Sequence, residues 1–243
     1  SLSFYLLLIF LYNSSMKILV TSGGTSEAID SVRSITNHSS GRLGKIITET
    51  LLKAGHEVCL ITTPQAVKPA KHSNLTIIEI KNTADLLQSM KDKIMDFQVL
   101  IHSMAVSDYT PVYMTGLDEV QSSQDLTELL YKKNQETKIS SKEDVQVLFL
   151  KKNPKIISLV KEWNPSIHLI GFKLLVEVSR EYLIQIARES LEKNQADIIV
   201  ANDLTQINAE QHIAYLVEKA SFQTASSKQE IADLLLKIIQ TYE

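Results

Sequence analysis

Six short apolar runs constrain the fold of this chain more than any other feature: KILVTS (17–22), EVCLITT (57–63), LTIIEI (75–80), QVLIHSM (98–104), IHLIGF (167–172) and DIIVAN (197–202). They are rich in β-branched residues and apolar almost throughout. Runs of this kind suit strands covered on both faces; half-exposed strands alternate instead. Segments of helical period lie between them. Over 42–54, Leu43, Ile46, Ile47, Thr50, Leu51 and Ala54 share one face, and Gly55 supplies a stop. Leu86, Leu87, Met90 and Ile94 repeat the pattern. Asn153-Pro154 predicts a cap and first position for a helix running to about Trp163, and 180–193 is amphipathic. A capping box, Ser227 to Glu230, opens a last helix that turns Ile231, Leu234, Leu235, Ile238 and Ile239 inward. Such alternation predicts an α/β fold with a doubly wound, mainly parallel sheet whose ligands bind at the carboxyl ends of the strands. HIAYLVEKASFQTA, late in the chain, reads as a β-hairpin.

With 243 residues, 44% of them hydrophobic, the chain suffices for one sizeable domain with a full core. A net charge of -3 gives no electrostatic reason to expect nucleic acid or an anionic membrane as partner. The single cysteine, Cys59, lies in an apolar strand run, so a buried structural thiol in a reducing cytoplasm is expected. SLSFYLLLIFLY at the start is too short to span a bilayer, and no basic region precedes it. Residues 1–15 are therefore expected to come from an upstream start or an appended segment outside the fold, with a single domain over 16–243. The stretch 110–150 is polar, rich in serine and glutamine, with a short helical piece near 123–133; it is expected to be a flap or binding loop.

Chemistry points first to TSGGTSEAIDSVRSITNHSSGRLG, residues 21–44. It leaves the first strand and returns as a helix at Arg42, and a helix N-terminus offers unpaired N–H groups to an anion. Yet the span is too long for a dinucleotide loop, and Gly44-Lys45 is followed by Ile46 rather than the hydroxyl residue of a P-loop. The alternative is a plain turn at Gly23-Gly24 and a cap at NHSSG. Asp108, in HSMAVSDYTP at the end of a central strand, could hold a divalent cation or orient a ligand; it could equally cap the turn ahead of Pro111. Lys138, in QETKISSK, is either a solvated charge or the mobile cation of a lid closing on phosphates. Phe172 and Lys173 in IGFKLL border the same crevice, or serve as a core residue and an edge charge. The six histidines show no metal-ligand spacing.

TSGGT, IDSVRSITNHSSGRLG, AVSDY, TKI, NPKII, IGFK and VAND, in this order and at these separations, resemble the phosphopantothenoylcysteine synthetase (phosphopantothenate–cysteine ligase) family of coenzyme A biosynthesis over residues 16–243. The resemblance implies a Rossmann-like ligase that activates the carboxylate of 4'-phosphopantothenate with CTP or ATP and Mg2+. Pyrophosphate is lost, and the amine of L-cysteine attacks the acyl-nucleotide. It also implies a cytoplasmic homodimer whose flap closes over the partner's site. Many bacteria fuse this activity to a flavin-containing decarboxylase; the chain resembles the stand-alone bacterial type, so flavin is not implied. Carried across by position, Asn37 and Lys138 take the catalytic roles. Gly23, Gly24, Thr25, Ser39, Ser40, Gly41 and Ala105 hold the substrate. Ser103, Met104, Asp108, Pro154, Lys155, Ile156, Ile157, Phe172, Lys173 and Lys193 surround the nucleotide, with Asp108 as the Mg2+ ligand.

Some positions depart from the pattern. KISS stands where fused bacterial enzymes commonly read KIKK, His102 and Met104 where smaller residues are common, and Glu189 where a lysine is usual. Lys173 follows the eukaryotic form. These changes touch the base pocket and leave CTP or ATP open. Two other classes compete: a nicotinamide- or flavin-dependent oxidoreductase, which would need an acid where strand 2 ends in TTPQAV, and a non-catalytic nucleotide-binding relative.

Overall fold

The structure, a computed structural model, describes residues 15–243. Expectations for residues 1–15 fall, save for Ser15, outside the described residues. Among the described residues, twelve strands and six α-helices follow in order: β1 Lys17–Thr21, β2 Ser26–Ala28, β3 Ser34–Thr36, α1 Arg42–Lys53, β4 Glu57–Thr62, β5 Leu75–Glu79, α2 Thr83–Lys93, β6 Val99–His102, β7 Tyr109–Gly116, α3 Leu117–Ser122, β8 Gln146–Lys152, α4 Val160–Trp163, β9 His168–Leu175, α5 Arg180–Asn194, β10 Ile198–Ile207, β11 His212–Val217, β12 Phe222–Ala225 and α6 Lys228–Gln240.

Eight strands form one sheet in the order β12-β11-β10-β9-β6-β1-β4-β5. The six from β10 to β5 run parallel, and β11 and β12 close the sheet as the antiparallel hairpin expected near the C-terminus. The chain winds from β1 outward through β4 and β5, then crosses by α2 to β6 on the other side. This reversal puts the switch point, where such sheets bind ligands, between β1 and β6.

The continuous apolar runs earn their burial from both sides. Leu19, Cys59, Leu100 and Leu169 face α2 and α5, through Leu86, Met90, Leu183 and Ala187. Ile18, Val20, Leu60 and Val99 face α1 and α6, through Ile47, Leu51, Ile231 and Leu235. Each fully buried aliphatic side chain of this set stabilises the fold by about 1.5–3 kcal/mol relative to an exposed one. Burial also raises the Cys59 thiol pKa, as suits a structural residue.

Three local expectations need correction. The stretch 110–150 is a loop only in its middle: β7 and β8 pair at its two ends as an antiparallel arm from Tyr109↔Lys152 to Gly116↔Gln146, with a 3-10 turn at Leu126–Tyr131 where the short helical piece was expected. Pro111, which lacks an N–H, sits at the register shift between Pro111 and Tyr113, where a ladder bond is dispensable. Asn153 does not cap a helix: Ile156–Leu159 is a 3-10 turn leading into α4, with Lys155 at its start. The Asn153 side chain instead donates to the Ser107 carbonyl at 3.0 Å and accepts from Thr110 Oγ1 at 2.7 Å, tying the two legs of the arm together. The capping box of α6 is half made. Ser227 Oγ accepts from the Glu230 N–H at 3.1 Å, while the Glu230 carboxylate takes the N–H of Ser226 rather than of Ser227.

Candidate functional site

The segment leaving β1 is a second small ribbon, β2 paired with β3, that folds back over the end of the sheet. Pairing of β1 with β6 continues past both strands: Thr25 N–H donates to the Ala105 carbonyl at 3.0 Å, and Ala105 N–H to the Gly23 carbonyl at 2.9 Å. Thr25 is a buried brace. Its carbonyl receives the Asn37 N–H at 3.0 Å, and its Oγ1 receives the Ser107 N–H at 2.8 Å. Asn37 is thereby fixed through its backbone at the foot of the ribbon, with its half-buried side chain on a cleft wall.

Residues 37–41 divide two clefts. The first, about 550 Å³, opens over the carboxyl ends of β6, β9 and β10 and the N-terminus of α1. Gly23, Ser39, Ser40, Gly41, Ser103, Met104, Ala105, Phe172 and Lys173 all line it, so the structure gathers nine of the sequence-derived site residues in one place. Arg42, Lys173 and Lys228 are its cations, and no carboxylate is among its lining residues. Burial first, and then the neighbouring Arg42 charge, lowers the Lys228 pKa. Gly41 is the N-cap of α1 and gives that helix no side-chain cap. The positive end of the helix therefore faces the cleft open to an anion.

Asn202 and His212 also line this cleft, with His212 Nε2 2.7 Å from Asn202 Oδ1. Burial pushes the His212 pKa down to about 4, so the ring is neutral at pH 7 and Nε2–H donates to the amide oxygen. His212 Nδ1 has no partner among the described residues. Asn202, within VAND, and Arg42, His212 and Lys228 are site residues that the sequence alone does not single out. The only signal available was the position of Asn202 at the end of a strand.

The second cleft, about 730 Å³, lies on the other side of the same segment, between the β2–β3 ribbon and the loop after β4; Gly24 and Asn37 line it. The arm reaches this side. Ile139 N–H donates to Asp30 Oδ2 at 3.0 Å, Ser31 N–H to the Thr137 carbonyl at 2.8 Å, and Arg33 Nη2 to the Ile139 carbonyl at 2.9 Å. Asp30 also accepts from Arg33 Nε at 3.1 Å and Nη2 at 2.6 Å. The Arg33 guanidinium first, and then the Ile139 N–H, hold its carboxyl well below the usual carboxylate range.

Other expected site residues fall elsewhere. Lys138 is exposed on the arm and lines neither cleft. Asp108 pairs with Lys155 at the foot of the arm, both more than half exposed and outside both clefts. Pro154 is exposed, Ile156 is core, and Ile157 packs near Gly171. Lys193 sits in the last turn of α5. That helix runs back from the carboxyl end of β9 to the start of β10, so Lys193 lies toward the amino ends of the strands, away from the clefts at their carboxyl ends. Asp203, read as either cap or ligand, organises a turn: it accepts from the N–H groups of Glu177 at 3.0 Å, Val178 at 2.9 Å and Thr205 at 2.9 Å. The Thr205 hydroxyl, at 2.7 Å, contributes most to holding its carboxyl well below the usual range. No group of three His, Cys, Asp or Glu side chains converges as a metal cage among the described residues, and no helix among them is long and apolar enough to cross a membrane.

Known proteins share this sequence pattern and fold. The family described as the DNA/pantothenate metabolism flavoprotein C-terminal domain matches residues 14–129 and 130–242. A crystal structure of the DNA/pantothenate metabolism flavoprotein from Streptococcus pneumoniae is 71% identical with a TM-score of 0.91, covering 94% of this chain and 100% of that one. The C-terminal domain of the coenzyme A biosynthesis bifunctional protein CoaBC superposes at TM-score 0.68 with 27% identity, over 93% and 94% of the two chains. A Cab2 variant in complex with phosphopantothenate-cysteine shares the fold at 18% identity and TM-score 0.70, over 97% and 90%. Among curated relatives, CoaBC of Thermococcus kodakarensis is 33% identical over 90% of this chain and 49% of its own length, and that of Methanocaldococcus jannaschii 30% over 92% and 50%. The chain thus spans about half the length of the curated relatives it matches. It belongs to the DNA/pantothenate metabolism flavoprotein C-terminal domain family.

Proposed function

We propose that this member of the family is a phosphopantothenate–cysteine ligase that joins 4'-phosphopantothenate to L-cysteine through an acyl-nucleotide intermediate in coenzyme A biosynthesis. The observation that carries the reading is the first cleft: three cations, an uncapped helix N-terminus and no lining carboxylate, separated by one segment from the cleft that Asn37 lines. A nucleoside triphosphate suits the first cleft. Its phosphates would meet Ser39, Ser40, Gly41, Arg42 and Lys228, and its base the walls of Phe172, Asn202 and His212. The carboxylate-bearing substrate would lie along residues 37–41 from the second cleft. Asn37 would then donate its amide N–H to the carboxylate oxygen that does not attack.

In the first step the substrate carboxylate oxygen attacks the α-phosphorus and the bond to the β-phosphate breaks, releasing pyrophosphate. In the second, the cysteine nitrogen attacks the acyl carbon. The bond to the nucleoside monophosphate breaks and the amine loses a proton. With no protein cage for it among the described residues, a Mg2+ ion would arrive on the triphosphate; Asp108, paired with Lys155 outside both clefts, would become a ligand only on leaving that pair. Lys138 lines neither cleft, although its neighbours Thr137 and Ile139 bond the wall of the second; movement of the arm, or a second copy, would bring its ammonium to this chemistry. Tyr109, Val145 and Leu150 leave apolar side chains 49%, 51% and 42% exposed on the arm, which supports a homodimer joined there. We take CTP as the preferred nucleotide and the cytoplasm as the location, with residues 16–243 acting as one domain.

The test is a turnover assay with phosphopantothenate, cysteine and either CTP or ATP, following pyrophosphate. Release that requires phosphopantothenate and is faster with CTP is expected. No release with either nucleotide removes the ligase reading, and CTP binding without turnover favours a non-catalytic relative.

A further inference from the structure

The loop after β4, Thr63 to Lys68, belongs to no strand or helix, yet it backs the segment assigned to phosphate. Ala66 is the contact surface. A Cβ added to Gly41 would lie 2.8 Å from Ala66 Cβ, and one on Gly23 would lie 3.0 Å from it and 2.5 Å from Thr63 Oγ1. Both glycines have positive φ, +86° and +78° for Gly23 and Gly41, so the backbone comes this close only without a side chain. From the same loop the Val67 N–H donates to the Ser40 carbonyl at 2.9 Å. The phosphate-facing backbone is therefore pressed against a loop that carries no ladder of its own.

One side chain holds that loop in shape. The Lys68 ammonium donates to the carbonyls of Thr63 at 3.1 Å, Pro64 at 3.1 Å and Ala66 at 3.0 Å, using all three of its protons. Glu79 balances its charge at 3.5 Å. Three carbonyl oxygens aimed at one point repel one another unless a cation sits between them, which is the arrangement by which carbonyl rings replace the hydration shell of potassium.

We propose that Lys68 is a positioning residue for nucleotide binding: its ammonium serves as a built-in monovalent cation that shapes the Thr63–Val67 loop and so sets the backbone of Ser40 and Gly41 for phosphate. The proposal rests on the reading of the first cleft as the nucleotide site.

The test uses the full chain as wild type, Lys68→Met and Lys68→Ala. CTP affinity is measured by titration calorimetry in potassium chloride and in tetramethylammonium chloride at equal ionic strength. Thermal melting is followed without ligand in the same salts. Lys68→Met, which keeps the stem and fills the space, is expected to lose about tenfold in affinity in both salts, the scale of hydrogen bonds to a charged group. Lys68→Ala is expected to show that loss only in tetramethylammonium, with potassium restoring most of the affinity and raising its melting temperature. Near-wild-type affinity in both folded variants, or a loss in Lys68→Ala that potassium does not reverse, overturns the proposal. Should wild type bind neither CTP nor ATP, the nucleotide reading fails. The potassium-dependent melting of Lys68→Ala still decides whether the ammonium holds this cradle.

Discussion

Gly24 and Asn37 lie so close that a Cβ on the glycine would sit 2.1 Å from the asparagine carbonyl oxygen. The glycine is therefore what lets the β2–β3 ribbon fold back and bring Asn37 over the sheet. Gly24→Ala must push Asn37 away. Turnover (kcat/KM) is expected to fall about 100-fold, the scale of a displacement of about 1 Å at a reacting group. The melting temperature should drop as well, because Gly24 is buried and the atom met is backbone, so turnover is compared at a temperature where the variant is folded. Steady-state kinetics beside a melting curve check this; wild-type turnover in Gly24→Ala would remove Asn37 from the reaction.

Asp30 is the peg on which the arm hangs, through the Ile139 N–H and the Arg33 guanidinium. Asp30→Asn is expected to free residues 132–145, seen as faster proteolytic nicking within them, while melting of the sheet domain changes little. Because the carboxyl is held below its ordinary value, its contribution is complete above the unfolded value of about 3.9 and is lost as pH falls through the lower folded value. Nicking in wild type should accordingly stay slow at pH 5. Rapid nicking there would show that the peg does not hold the arm.

Acid should weaken the domain earlier, through His102. This ring is 8% exposed, with Nδ1 2.7 Å from Thr21 Oγ1, and burial pushes its pKa down to about 4. The unfolded chain, titrating near 6.5, then binds more protons than the folded one between about pH 6.5 and 4, so stability falls as pH falls through that window. One such group accounts for about 3 kcal/mol across it. His102→Asn should flatten the dependence by a comparable amount in urea titrations at pH 4.5 and 7; an unchanged slope would assign the effect elsewhere.

The sheet was legible because its strands are apolar on both faces, a pattern that a chain of this length can satisfy in few ways. Helix ends were read where capping is local, as at Gly55, which adopts a φ of +92°, and Ser227. The arm escaped because the partners Tyr109 and Lys152 are joined by no tight turn, and Pro111 and Gly116 lower the strand signal. Asn153 misled for a related reason: an asparagine before proline looks like a cap, yet its amide is used by Ser107 and Thr110, far away in sequence. The glycine and serine positions of the candidate site were legible, since close backbone approach leaves its mark on residue type. Lys228, His212 and Arg42 left none, because a cation on a helix and a histidine in a strand read the same whether or not a cleft lies beside them. Lys193 shows the converse: resemblance draws it toward the nucleotide, and the direction of α5 carries it toward the amino ends of the strands.

The most direct test of the ligase account follows one oxygen atom. Phosphopantothenate labelled with 18O in its carboxylate is turned over with cysteine and CTP, and the products are weighed by mass spectrometry. An acyl-nucleotide path predicts phosphopantothenoylcysteine together with CMP carrying one 18O, and unlabelled pyrophosphate. Label appearing in inorganic phosphate beside CDP, or no labelled nucleotide with either CTP or ATP, would contradict it.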